Sequence, residues 1–209
     1  MSLLNLVYED EYLLVVDKPS GVLSQPGKSV DGSIATHVKK AYPDATGPML
    51  VHRLDMDTSG LMVLAKTRAC HRELQQQFER RRVTKCYVAV LSHNPLGQGG
   101  RIQLPIRLNI DNRPEQIVCY EHGKQADTLW HRASYAQSGE VSRVIFKPIT
   151  GRTHQLRVHA AHPLGLNAAI VGDRLYGVQG DRLMLHAHRL GFTHPVSQAW
   201  LELSAAVPF

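Results

Sequence analysis

The sequence predicts an α+β protein built on a large mixed, mostly antiparallel sheet, and three observations carry that prediction. Strand-like runs outnumber helical ones along the 209 residues. No helix alternates regularly with the strands, which disfavours a parallel doubly wound sheet. The 43% hydrophobic content is ample for the core of one large domain or two small halves.

The elements follow in order. Tyr12 to Val16 reads as a first strand, closed by Lys18-Pro19-Ser20-Gly21, where Pro and Gly punctuate a turn. Ser33 to Tyr42 carries Ile34, Val38 and Ala41 at helical spacing, and Pro43 ends it. Leu61 to Ala65 reads as a buried strand. Thr67 can cap a helix through Gln77 or beyond, with Leu74 and Phe78 in its apolar stripe and Arg68, Arg72, Arg80, Arg81 and Arg82 facing outward. Strands are then expected at Tyr87 to Leu91, Arg101 to Leu108, Gln116 to Tyr120, Thr128 to Tyr135 and Val141 to Lys147. Thr153 to Ala161 reads as a helix with Leu156, His159 and Ala160 on one face, stopped by Pro163. Leu183 to Leu190 and Ala199 to Leu203 close the chain as strands. There is no repeat, low-complexity segment or long linker, so residues 1–209 are expected to form a single domain.

Composition narrows the function classes. The formal charge of +6, from 24 Lys and Arg against 18 acids, suits a polyanionic partner. Three widely spaced cysteines, Cys70, Cys86 and Cys119, without a Cys-x-x-Cys pair, argue against a disulfide framework and for a reducing cytoplasm. Glu9, Asp10 and Glu11 stand where a secretory signal needs a basic start and a longer apolar run. No stretch approaches the ~20 apolar residues of a membrane span.

The chemistry concentrates at His52-Arg53-Leu54-Asp55-Met56-Asp57-Thr58-Ser59-Gly60, immediately before the apolar run Leu61 to Ala65. A carboxylate in that position can act as nucleophile or general base, bind a metal, or hydrogen-bond its own loop; Asp, Thr, Ser and Gly in succession are also what an ordinary turn contains. This nonapeptide resembles the active-site signature of the RluA family of RNA pseudouridine synthases. The resemblance extends over most of the chain, in the family's order. Val15 to Ser24 is similar to its opening strand and turn, Lys85-Cys86-Tyr87-Val88-Ala89 to a second motif, Pro148 to His159 to a third, and Ile170 to Gly177 to a segment after the third.

The resemblance implies a bent sheet in two halves with flanking helices and a central active-site cleft, and a catalytic domain without the N-terminal S4-like domain of longer relatives. It implies isomerisation of uridine to pseudouridine: the N-glycosidic bond breaks, the base rotates, and its C5 joins the ribose, with no cofactor or metal. Asp55 is then the catalytic carboxylate, acting on C1′ or the base or assisting glycal formation. A buried carboxylate stays ionised when a cation lies nearby, and Arg157 is the family's candidate for it. Tyr87 is the ring that packs on the target base and takes the C5 proton; its neighbours Cys86, Val88 and Val90 also allow an inward core aromatic. A stacked base must be extruded to react, and Arg53 is the candidate that fills the vacated space. His52 is expected to be mainly structural. Arg80, Arg81, Arg82, Lys85, Arg107, Arg113 and Arg152 are candidate RNA contacts.

Asn112 to Gln116 followed by Cys119 to Lys124 resembles the short RluA subgroup, which modifies 23S ribosomal RNA and the anticodon stem-loop of certain tRNAs. The alternative within the family is a short enzyme for one tRNA or rRNA site. A monomer acting on RNA, with no membrane and no obligate protein partner, is expected. Two readings of other classes compete. A metal-dependent hydrolase would draw on His154, His159, His162, His186 and His188 of the 12 histidines, but there is neither His-Glu-x-x-His nor His-x-Glu followed by Pro-Cys-x-x-Cys. A non-catalytic RNA-binding protein on the same scaffold is expected to have lost Asp55, Tyr87 or Arg157, and all three are present. Gly97-Gln98-Gly99-Gly100 lacks the Lys-Ser/Thr of a phosphate loop, so ATP use is not implied.

Overall fold

A computed structural model describes residues 4–27, 32–135 and 142–209. Two compact units divide the chain: Met1–Lys85 with Ala187–Pro208, and Cys86–His186 with Phe209. In chain order the strands and helices are β1 (Leu6–Glu9), β2 (Leu13–Lys18), α1 (Ile34–Ala41), β3 (Ser59–Ala65), α2 (Arg68–Glu79), β4 (Thr84–Leu91), β5 (Gly99–Gln103), β6 (Ile106–Leu108), β7 (Gln116–Val118), β8 (Asp127–Tyr135), β9 (Ser142–Pro148), α3 (Gln155–Ala161), β10 (Leu185–Thr193) and β11 (Trp200–Ser204). The α+β reading is correct, with few helices and a sheet whose registered pairs are antiparallel.

In the first unit β2 pairs antiparallel with β1 and with β3, and β11 with β10. Every residue of β3 is buried, which its uninterrupted apolar run already suggested. Successive side chains point to opposite faces. Leu13, Val15, Leu61, Val63 and Ala65 therefore share one face, where they cluster with Cys70 and Leu74 of α2 and with Leu190 and Phe192 of β10. Leu14, Val16, Met62 and Leu64 on the other face are equally buried. Thr67 caps α2 as expected, its Oγ1 accepting from the Cys70 N–H at 3.2 Å. Ser33 does the same for α1 toward Thr36. Gly60 has φ +116°, and a Cβ there would lie 2.5 Å from the Ala187 nitrogen. That glycine is what lets the strand emerging from the charged nonapeptide run hard against β10.

In the second unit β4 pairs with β9, β9 with β8 and β8 with β5, all antiparallel. Ala89, Leu91, Ile102, Trp130, Val144 and Phe146 from these strands close a core with Leu156 and Ala160 of α3. β6 and β7 form a separate two-stranded hairpin.

Several boundaries differ from the sequence reading. β1 was not expected: Leu6 and Glu9 are exposed, Val7 and Tyr8 half-buried, and the four carry no clear alternation. The single strand expected over Arg101 to Leu108 is two, because Pro105 cannot donate to a ladder and the chain breaks at Leu104-Pro105. The helix expected from Thr153 begins at Gln155, since His154 takes a left-handed conformation with φ 53°. Val141, the expected start of β9, lies outside the described residues.

Candidate active site

Asp55 sits in the first unit on a loop that is fixed through its backbone. Lys18, wholly buried at the end of β2, donates from Nζ to the carbonyls of Pro19, Val22 and Met56 at 2.7 to 2.9 Å. Ser20 Oγ donates to the Asp57 carbonyl at 2.6 Å, and the Gly21 N–H to the Met56 carbonyl at 2.9 Å. Ser24 Oγ donates to the Leu54 carbonyl at 2.6 Å and accepts the Leu54 N–H at 3.0 Å. The Thr58 N–H closes the turn onto the Asp55 carbonyl at 3.2 Å. The residues flanking Asp55 are thus tied down while no hydrogen bond reaches its carboxylate within this unit, among the described residues. Such an arrangement holds a carboxylate in place by scaffold rather than by its own bonds.

Lys18 is the residue that the sequence reading missed. Burial pulls its ammonium down to about 8, against the opposing pull of the Asp55, Asp57 and Asp17 carboxylates. It is a cation set beside the Asp55 loop, and its three carbonyl acceptors use all three of its donors. The signal was a lysine closing the apolar run Leu13-Leu14-Val15-Val16, where a solvated charge is out of place.

His52 is held within the first unit by its ring. Its Nε2 accepts the Val63 N–H at 3.1 Å and its ring stacks on Phe78 at 4.5 Å between centroids, which requires the neutral form. Burial, and then the charge of Lys85, pushes its pKa down to about 3. Burial and the neighbouring Arg81 likewise lower Lys85 to about 8. Arg53 is exposed, as are Arg80, Arg81 and Arg82 at the end of α2. There the Arg81 N–H bonds the Phe78 carbonyl and the Arg82 N–H the Gln77 carbonyl, the Schellman pattern, with Arg81 at φ 56° where glycine is usual.

The other candidates belong to the second unit. Tyr87, on β4 opposite Phe146, is half-buried and packs against the core. Arg157 is almost wholly buried and forms a bidentate pair with Asp173, Nε to Oδ2 at 2.8 Å and Nη2 to Oδ1 at 2.6 Å. The sequence reading looked for its partner at Asp55 and did not single out Asp173. Asp173 Oδ1 also accepts the N–H groups of Leu175 and Tyr176, and the Tyr176 ring lies 5.2 Å from the guanidinium. Tyr176 OH in turn accepts the Gln116 N–H at 2.7 Å and meets His154 Nδ1 at 2.8 Å. Arg107 is half-buried on β6, its Nη1 on the Leu108 carbonyl; Arg113 is exposed in the turn of that hairpin; Arg152 is exposed with Nε on the Gln125 carbonyl.

The third motif is also a buried polar network. Gln155 Nε2 donates to Thr128 Oγ1 at 2.9 Å, and Thr128 Oγ1 meets His159 Nδ1 at 3.0 Å; His159 Nε2 lies 3.3 Å from the Leu104 carbonyl. The two partners of His159 are satisfied together by a neutral ring that donates from Nε2, and burial pushes its pKa down to about 4. An unfolded histidine titrates near ~6.5, so the unfolded chain holds the extra proton between these values. The stability that His159 confers is therefore complete above about pH 6.5 and is lost as pH falls toward 4, about 2 kcal/mol of it by pH 5. Urea denaturation at pH 7 and pH 5 is expected to show that loss, and His159→Gln to show a smaller one.

Comparison with known proteins gives the family. Residues 12–162 match the family model for RNA pseudouridylate synthase. The chain is 45% identical to the dual-specificity RNA pseudouridine synthase RluA of Escherichia coli (strain K12), covering 98% of this chain and 93% of that one. It is 39% identical to the RluA of Pasteurella multocida (strain Pm70), covering 99% and 94%. Among solved structures, human RNA pseudouridylate synthase domain containing 1 superposes with a TM-score of 0.81 at 30% identity, covering 100% of this chain and 85% of that one. The chain belongs to the RNA pseudouridylate synthase family, and is an enzyme that isomerises uridine to pseudouridine in RNA.

Proposed function

We propose that the substrates are 23S ribosomal RNA and the anticodon stem-loop of tRNA, that Asp55 carries the chemistry, and that the enzyme acts as a cytoplasmic monomer. The observation that carries the catalytic assignment is the Asp55 turn itself: five side chains or amides from residues 18–24 and 58 hold its neighbours, and none in that unit engages its carboxylate. Three free cysteines support a reducing compartment. A single chain carries every motif residue, so no second copy is needed to complete the set.

In the reaction the N1–C1′ bond breaks and a C5–C1′ bond forms; C5 gives up a proton and N1 takes one, so nothing is added or lost. Asp55 supplies the carboxylate, Arg157 the guanidinium, and Tyr87 the ring that packs on the base and removes the C5 proton. Arg53, exposed beside Asp55 in sequence, steadies the extruded nucleotide. Arg80, Arg81, Arg82, Lys85, Arg107, Arg113 and Arg152 meet phosphates; six of the eight arginines and lysine in this set with Arg53 are exposed. The resemblance of the 112–124 segment to the short RluA subgroup and the full-length similarity to two dual-specificity enzymes support two substrates rather than one.

Pseudouridine mapping of total tRNA and rRNA, with and without the gene, tests this. Loss at one 23S position and in the anticodon stem-loop of a tRNA subset is expected. Loss at one RNA alone selects the single-site alternative, and unchanged maps overturn the proposal.

A further inference from the structure

Thr58 is 3% exposed, and its Oγ1 has no hydrogen-bond partner among the described residues. An unpaired buried hydroxyl is costly, and valine would fill the same space without that cost. Thr58 also ends the turn that begins at Asp55, through its N–H on the Asp55 carbonyl. The same turn therefore holds an orphaned donor and a carboxylate that accepts nothing within its unit. The Asp55 carboxylate, three residues earlier in the same turn, is an acceptor for which that hydroxyl is a fitting donor.

We infer that Thr58 is a positioning residue for Asp55, its hydroxyl donating to the carboxylate as the Asp55 side chain takes up its reacting position on bound RNA, the backbone of the turn staying fixed. The inference rests on the assignment of Asp55 as the reacting carboxylate. A hydrogen bond made only in the reacting state contributes nothing to the free protein, which is the form of binding that raises rate rather than affinity. A hydroxyl donor to a charged acceptor is the stronger kind of hydrogen bond.

The test compares wild type, Thr58→Val, Thr58→Ser and Asp55→Asn by single-turnover pseudouridine formation on a tRNA anticodon stem-loop, RNA affinity, and thermal melting. Thr58→Val is expected to melt at or above the wild-type temperature and to bind RNA within about twofold, yet to react roughly tenfold or more slowly. Thr58→Ser, which keeps the hydroxyl, is expected to recover most of the rate. A Thr58→Val rate equal to wild type overturns the inference, as does a rate loss that Thr58→Ser fails to recover. Should Thr58→Val unfold, the Ser variant decides alone: a rate within about threefold of wild type supports the donor, and a loss as large as tenfold overturns it. If Asp55→Asn reacts like wild type, the catalytic assignment itself fails, a result distinct from these.

Discussion

Asp55→Asn is expected to abolish pseudouridine formation, by at least about a thousandfold, while RNA affinity stays within about tenfold and the fold is unchanged. The substitution is nearly isosteric, and the backbone around it is held by Lys18, Ser20, Gly21, Ser24 and Thr58, none of which bonds the Asp55 side chain in that unit. Surface-accessible changes that break no buried network usually shift stability by under about 0.5 kcal/mol. The one folded-state consequence is electrostatic: Lys18 loses one of the three carboxylates that oppose its desolvation. The charge at position 55 thus has little structural work, and its loss reports on chemistry. Measured by single-turnover conversion with melting and RNA binding alongside, residual activity near wild type would remove Asp55 as the reacting carboxylate.

What was legible in the sequence was local. Asp55, its turn residues and the apolar strand after them lie within fourteen consecutive positions, and the caps at Ser33 and Thr67 signal within three residues of the backbone N–H they bind. Strands such as β9 were equally readable, because period-two burial is written along them. What was not legible depended on distant chain. Lys18 reaches a carbonyl 38 residues away, and its role is invisible until the two loops meet. Asp173 lies 16 residues from Arg157, and nothing in the spacing says that this carboxylate takes two of its nitrogens. The break at Leu104-Pro105 and the left-handed His154 are local, but a strand-like run and a helix-like run masked them. Propensity reads the average of a segment and misses the single residue that turns it.

The second large effect concerns that pair. Asp173→Asn is expected to cost about 3–5 kcal/mol, because it strips the counter-charge from a guanidinium that has no water to replace it. Arg157 is 2% exposed and Asp173 1%. Asparagine can still accept the Leu175 and Tyr176 N–H groups, so the loss isolates the charge rather than the local turn. For a chain of this size a fall in melting temperature of roughly 10 °C is expected, and a fall under about 2 °C would mean that the pair is not the buried bridge its geometry describes. Arg157→Lys should also destabilise, since an ammonium keeps the charge but cannot span both carboxylate oxygens. The double variant Arg157→Met with Asp173→Asn separates the two duties assigned to this arginine. It leaves no uncompensated buried charge, and asparagine still accepts the two N–H groups, so stability should largely return. Pseudouridine formation should not, because the guanidinium assigned to the reaction is gone. Recovery of both stability and activity in that double variant would make Arg157 a structural residue alone.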